Sequence, residues 1–328
     1  MQETKVTIIV TSAGTASAIS VIRGLKMQNE IKVHVVAVDL DPLAAGLFLA
    51  DEFFIVPKAD NQNYIPELIR IASNTGATVL IPIYSKEINL ISENTELLLS
   101  HGIRTMLSTP DVIKLCNDKL AMNQFALEAG LNVPHLFSID DVLNNQSIKF
   151  PVFVKPNSGS SSTGAQKIAN KEELDVILKS NKNFIIQEFI DAEEVTVDVF
   201  CDINSNALVI APRIRLAVKS GQCVKGKTMD KALFLEPITT FCKKLKVVGA
   251  CNIQFFISSN KLSFIEINPR FAAGGLMLTI ASGANIPLLL LKSLLGLEIE
   301  MQQCQTKPNI SMTRYWSEII LDENNNIL

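Results

Sequence analysis

The sequence predicts a parallel α/β unit of Rossmann type followed by an α+β region, and three observations carry that reading. Apolar strands alternate with helices through the first hundred residues. A buried strand, Phe150-Pro151-Val152-Phe153-Val154-Lys155-Pro156-Asn157, runs into a loop of small residues from Ser158 to Gly164. Two apolar runs, at 251–257 and 262–270, are joined by a polar turn and make a hairpin with polar side chains at alternate positions.

In chain order, residues 5–10 form an apolar strand. Thr11-Ser12-Ala13-Gly14-Thr15 is a small-residue turn, 16–27 a helix, and 33–38 a second strand ending at Asp39. A helix at 65–74 and a strand at 77–83 follow, which implies a parallel sheet covered on both faces. A dinucleotide fingerprint needs three glycines in the first turn, and only Gly14 is there, so Asp39 gains no ribose-binding context. Glu87 lies at a strand's carboxyl end, where it could touch substrate or cap the next helix, and the cap is the favoured reading. Thr109 and Pro110 start a helix as N-cap and first residue. A second start follows with Asn117 as cap, and that helix carries Asp118 and Lys119 and ends at Gly130. Lys119 in a first turn is electrostatically awkward, since the helix dipole there favours anions.

Composition narrows the class. Apolar residues make up 48% and charged residues 19% of 328, which excludes a disordered chain. A net charge of −3 with no basic run argues against nucleic acid or a membrane surface as partner. Six cysteines without CxxC spacing and no signal peptide read as reduced thiols in a cytoplasmic protein. The apolar stretch 286–297 is too short to span a bilayer.

The chemistry-bearing stretches come next. Lys155 delivered into Ser158–Gly164 suits phosphate binding, with backbone N–H groups and hydroxyls around the phosphates, although a flexible linker shares the Ser/Gly bias. Residues 184–191 and 192–200 are β-rich runs flanking an acidic turn, either a solvated hairpin or a hinge that reads an adenine edge. In Glu266-Ile267-Asn268-Pro269-Arg270, Glu266 and Asn268 leave one face and Ile265 and Ile267 the other. A carboxylate and an amide oxygen with no His or Cys nearby suit Mg2+, unless the hairpin is simply half-solvated. For Gln254 to join them it must pair opposite Glu266, through an odd-numbered connection such as 258–262. Arg213 and Arg215 share one strand face, either solvated or holding an anion. Residues 220–226 read as a substrate-side loop. Cys223 has no histidine near it in sequence, and His34, His101 and His135 adjoin none of these motifs.

The order of these motifs resembles the ATP-grasp superfamily, most closely the branch of the carbamoyl-phosphate synthase large subunit, over about residues 1–300. The resemblance implies a Rossmann-like pre-ATP-grasp domain at 1–112. An ATP-grasp fold would follow, with a small lid subdomain at 113–190 and a larger antiparallel-sheet subdomain at 191–328. It implies ATP and Mg2+ (or Mn2+) as cofactors. Lys119 and Lys155 would hold the ATP phosphates, and Ser158, Gly159, Ser160, Ser161 and Gly164 would belong to the loop closing over them. Gln187, Glu188 and Ile190 would bind adenine, the latter two through backbone groups, and Glu194 the ribose. Gln254, Glu266 and Asn268 would be metal ligands, and Arg270, Lys155 and Arg215 the catalytic groups. The implied activity is ADP-forming ligation of a small carboxylate, activated as an acyl phosphate, to an amine or similar nucleophile. A homodimer is among the assemblies expected. The loop is poorer in glycine than in carbamoyl-phosphate synthases, and one ATP-grasp unit is present rather than two. Competing readings are an ATP-binding protein without turnover and a dinucleotide oxidoreductase built on residues 1–100.

Overall fold

The computed structural model describes residues 5–138, 148–157, 164–179, 183–219 and 221–328. Three sheets organise them. The first is parallel, in the order β3-β2-β1-β4, from β1 (Val6–Val10), β2 (Val33–Asp39), β3 (Glu52–Ile55) and β4 (Val79–Ile81). Alternation along the strands sends Ile8, Val10 and Val35 against α1 (Ala16–Met27), and Ile9, Val36 and Leu80 against α2 (Tyr64–Thr75). Both faces are therefore covered, as continuous apolar strands require. β3 escapes sequence reading because it is a short edge strand whose Phe53 and Ile55 face outward. Helices α3 (Ser85–Glu93) and α4 (Thr95–Ser100) complete this unit.

The largest sheet has six strands in the order β13-β12-β9-β10-β11-β14, and all its pairs are antiparallel. Its members are β9 (Glu193–Cys201), β10 (Ala207–Lys219), β11 (Gln222–Thr228), β12 (Gly249–Ser258), β13 (Lys261–Asn268) and β14 (Ser311–Thr313). Residues 222–226, expected in a loop, are strand because β10 and β11 form a long hairpin that leaves only the turn near Gly221. One face packs Val195, Val197, Ile253, Phe255, Phe264 and Ile267 against α8 (Ala232–Leu245). Helices α5 (Pro110–Asn117) and α6 (Lys119–Glu128) add Val112, Cys116, Met122 and Ala126 to the same core. The opposite face contributes Phe200, Val209, Ala211 and Ala250 to the core of the first unit. Leu276 of α9 (Leu276–Ser282) and Ile286 and Leu289 of α10 (Ile286–Leu295) lie there too.

The third sheet is ordered β5-β8-β6-β7, from β5 (Leu136–Phe137), β6 (Val152–Pro156), β7 (Gln166–Ile168) and β8 (Phe184–Glu188). With α7 (Lys171–Leu178) it encloses a small core of Val152, Val154, Ile168, Leu174 and Ile186. β8 and β9 belong to different sheets, which excludes the plain hairpin and makes residues 189–192 a crossover.

The β12–β13 hairpin corrects one expectation. Its turn is only Ser259-Asn260, both left-handed at φ 48° and 60°, the backbone of a type I′ turn. From Ser258↔Lys261 the ladder runs regularly to Phe255↔Phe264, and one more step would set Gln254 against Ile265. A β-bulge intervenes: Ile265 is skipped and Gln254 pairs with Glu266. The parity expected of an odd loop is supplied inside the strand instead. Core-facing residues accordingly change phase from Leu262 and Phe264 to Ile267. Ile265 does not join Ile267 in that core.

No single described helix is long and apolar enough to cross a membrane. The bent pair α9–α10, 81° apart, passes by composition only, and its apolar residues are largely buried in the core.

Candidate active site

The register of the six-stranded sheet lays polar side chains in rows across the face opposite α8. Asn268 lies beside Asn252, and Asn252 beside Asp198. One rung on, Glu266 lies beside Gln254, Gln254 beside Thr196, and Thr196 beside Arg213. Glu266 and Asn268 are tied together, the Asn268 amide donating to Glu266 Oε1 at 3.0 Å. The same amide lies 3.4 Å from Asn252 Oδ1, and Asn252 Nδ2 donates to the Arg270 carbonyl at 3.1 Å. Asn252 was not foreseen as a site residue. Its signal is the Asn252-x-Gln254 spacing, which puts both amides on one face.

Arg270 lies half-buried behind this row. Its Nη2 donates to Asn268 Oδ1 at 3.1 Å, and its Nε reaches the first unit, donating to Ser85 Oγ at 2.8 Å. Burial lowers its pKa, and the Glu266 charge opposes that. Lys155, the fourth residue of β6, is pushed down to about 8 by burial; Glu266 raises it and Lys119 lowers it further. Lys119 is also lowered by burial and raised by Glu266. The charge of Glu266 thus acts on both lysines and on Arg270.

A missed residue sets the lysine pair. Asn157 follows β6, and its Oδ1 accepts from Leu120 N at 2.9 Å while its carbonyl accepts from Lys119 N at 3.3 Å. The end of one sheet is thereby pinned to the start of α6. The cap of α6 is Asp118, not Asn117: α5 runs through Asn117, and the Asp118 carboxylate accepts from Leu120 N and Ala121 N at 3.1 and 3.0 Å. A carboxylate cap also offsets the awkward positive charge of Lys119.

Gln187 is buried in β8 and its Oε1 has no hydrogen-bond partner, an acceptor suited to a nucleobase N–H. Glu188 cannot offer its backbone N–H, which donates to the His135 carbonyl at 2.9 Å, while His135 N donates to Glu188 Oε1. His135 therefore does adjoin a motif, through its backbone. Ile190 lies half-buried in the crossover. Glu194 forms an ion pair with Arg215. Gly164 takes φ +79°, whereas Ser158, Gly159, Ser160 and Ser161 lie outside the described residues.

Arg213 and Arg215, alike in sequence, separate here. Arg213 is 3% exposed and its Nη2 donates to Asp198 at 2.9 Å, with Asp198 also accepting from Thr279 Oγ1 at 2.6 Å. A Cβ on Gly275 would sit 1.9 Å from Arg213 Nε, so only glycine lets the 274–275 backbone pass the guanidinium. Cys223 is buried with its thiol directed to the Lys225 carbonyl. Glu87 caps α3 as expected and does more: its carboxylate accepts from Thr11, Ser12, Tyr64 and the backbone of Ile83 and Tyr84. At the Gly14 turn, Asp39 accepts from Gly14 N at 2.8 Å, occupying the donor a dinucleotide phosphate would need.

A cleft of about 150 Å3 is lined by Arg213, Arg215, Gln254, Glu266, Asn268 and Arg270, and a chamber of about 400 Å3 beyond Glu266 by Tyr84, Ser85, Lys86, Asn117 and Lys119. Among the described residues no group of three His, Cys, Asp or Glu could hold a metal. One carboxylate and two amide oxygens nevertheless fit a hard divalent cation that takes its remaining ligands from phosphates and water, as Mg2+ does.

The fold is that of an ATP-grasp protein. A model of the ATP-grasp domain matches residues 116–274, and one of the PylC-like N-terminal domain matches residues 8–106. The chain therefore carries an ATP-grasp domain behind a PylC-like first domain. It is similar to the formate-dependent phosphoribosylglycinamide formyltransferase of Prochlorococcus marinus (strain NATL1A), with 26% identity over 83% of this chain and 73% of that one. It also resembles the carbamoyl phosphate synthase large chain of Campylobacter jejuni at 27% identity, over 53% of this chain but only 18% of that one. Among solved structures, the biotin carboxylase of Campylobacter jejuni superposes with a TM-score of 0.74 at 20% identity, covering 93% of this chain and 74% of that chain; that likeness is one of fold.

Proposed function

We propose that the protein ligates a small carboxylate to an amine or similar nucleophile through an acyl phosphate. The observation carrying this reading is the convergence of Lys119, Lys155 and Arg270 on Glu266, beside Gln254 and Asn268 on one sheet face. An attacking carboxylate oxygen takes the γ-phosphoryl group of ATP, forming the acyl–O–P bond as the bond to ADP breaks. The nucleophile then adds at the acyl carbon, loses a proton, and expels phosphate. Lys119 and Lys155 neutralise the phosphates, and Arg270, held by Ser85 and Asn268, faces the transferring group. Gln254, Glu266 and Asn268 would hold Mg2+, which supplies charge neutralisation to the phosphates. Gln187 and the crossover take adenine and Glu194 the ribose. Ser158, Gly159, Ser160 and Ser161, with Gly164, serve as the covering loop.

The proposed division keeps the first domain at 1–112. The moving lid is best drawn around the third sheet, because α5 and α6, within the expected lid span 113–190, contribute to the core of the large sheet. We place the protein in the cytoplasm as a homodimer, supported by six thiols without disulfides and by exposed Phe53 and Ile55 on the edge strand β3.

The test is trapping: the true carboxylate, ATP and Mg2+ with hydroxylamine in place of the amine should give a hydroxamate, ADP and phosphate. AMP and pyrophosphate would mean an adenylate and overturn the reading. Glu266→Gln should lower turnover about 100-fold or more, as loss of one preorganised electrostatic contact does elsewhere.

A further inference from the structure

The polar face of the large sheet has one more rung. Because Arg213 pairs with Thr196 and Ile214 with Val195, Arg215 stands across from Glu194 on the face that carries Gln254 and Glu266. Arg215 Nη1 binds the Glu194 carboxylate, and its Nη2 donates to the Gly221 carbonyl at 2.9 Å. One guanidinium therefore holds both the acid assigned to the ribose and the turn of the β10–β11 hairpin, while lining the cleft beside Arg270.

Its neighbour Arg213 has no such freedom, being locked by Asp198 in the interior and covered by Gly275. The Arg215 side chain is 12% exposed and that of Glu194 35%, so the carboxylate is the end of the pair open to an incoming donor. A ribose diol offers two O–H donors to the same two carboxylate oxygens that attract the guanidinium.

We propose that Arg215 couples the two substrates: the ribose diol takes Glu194, and the released guanidinium turns to the carboxylate of a small acid in the cleft. This rests on the assignment of Glu194 to the ribose. Acid then binds well only after nucleotide, and linkage makes the effect mutual, with a coupling of about tenfold. Release of Gly221 also disturbs Lys219, whose ammonium lies 5.9 Å from the ring of Trp316, the only tryptophan. Trp316 emission thus reports the exchange.

The full chain is titrated with MgADP and with the magnesium complex of 2′,3′-dideoxy-ADP. Trp316 emission is followed, and the affinity for formate, the smallest carboxylate, is measured under each condition. The diol nucleotide should shift emission and tighten formate about tenfold, while the dideoxy nucleotide binds without either effect. Glu194→Gln should bind formate tightly without nucleotide. Arg215→Met should bind MgADP yet leave formate indifferent to it, and Arg215→Lys should partly restore the response. Equal formate affinity with both nucleotides, or coupling that survives in Arg215→Met, overturns the proposal and leaves the ligase reading standing. Failure of both nucleotides to bind overturns the nucleotide assignment and the coupling with it.

Discussion

Gln254 stands opposite Glu266 because Ile265 is one residue more than the ladder needs. Below the bulge, Phe255 faces Phe264 in the core; above it, two oxygen-bearing side chains share the opposite face. Deleting Ile265 would leave the two-residue turn in phase with Gln254–Glu266 and remove only the local bend. The deletion variant should fold with its core intact, yet bind Mn2+ with ADP roughly tenfold more weakly, as disturbed ligand orientation does elsewhere. Electron paramagnetic resonance measures that affinity. An unchanged value would show that the bend aims nothing.

Lys155 makes nucleotide binding pH-dependent. With its ammonium pushed down to about 8, the charge that meets the phosphates is present at pH 7 and lost as pH rises through that value. ATP affinity should therefore fall between pH 7 and 9, and binding near pH 8 should take up a proton. Calorimetry in buffers of different ionisation enthalpy reads both. Uptake that persists in Lys155→Arg, which keeps its charge throughout this pH range, would assign the proton elsewhere.

The same burial opposes folding. A lysine whose pKa lies below its unfolded value costs stability below about pH 8, and that cost is relieved as pH rises toward the ordinary lysine value. Lys155→Met should abolish tight nucleotide binding and raise stability at pH 7 by roughly 1–3 kcal/mol. Urea unfolding at pH 7 and 10 should show the advantage shrinking at the higher pH.

Gly275→Ala would drive a methyl into the Arg213 guanidinium and displace it from Asp198. Breaking a buried ion pair in this way costs about 3 kcal/mol or more. Thermal unfolding should show a large loss, whereas Gly296→Ala, whose Cβ would meet nothing within 4 Å, should show only the smaller cost of its left-handed backbone.

Asn157→Ala removes the acceptor for Leu120 N and loosens the link between Lys155 and Lys119. Stability should fall by about 1 kcal/mol, and the KM for ATP should rise with kcat little changed. An equal fall in both would mean that Asn157 also acts in the transition state.

Much of this arrangement is legible from residue patterns. Strand–helix alternation gives the parallel unit, and the order of Lys119, Lys155, Gln254 and Glu266-x-Asn268 carries the resemblance to ATP-grasp proteins. What escapes is set by pairing between distant segments. Arg213 and Arg215 are indistinguishable as i, i+2 arginines; only the β9–β10 register sets Arg213 across from Thr196, diagonal to Asp198, and carries Arg215 on to Glu194. The turn Ser259-Asn260 lacks the glycine that usually advertises a type I′ turn, so the bulge compensating for it has no local signature. Asn157 and Asn252 act through partners 37 and 18 residues away, beyond the reach of local periodicity.

The bond from Arg270 to Ser85 carries a last consequence for anyone who treats the chain as modular. The first unit ends well before Arg270, yet its α3 grips the guanidinium that we assign to the transferring phosphoryl group. A fragment trimmed to the matched ATP-grasp segment, 116–274, would keep the cation-binding oxygens and lose that hand. Swapping first domains between relatives would succeed only where the donor brings a hydroxyl to the same place, so Ser85 is the seam along which chimaeras of this architecture should be judged.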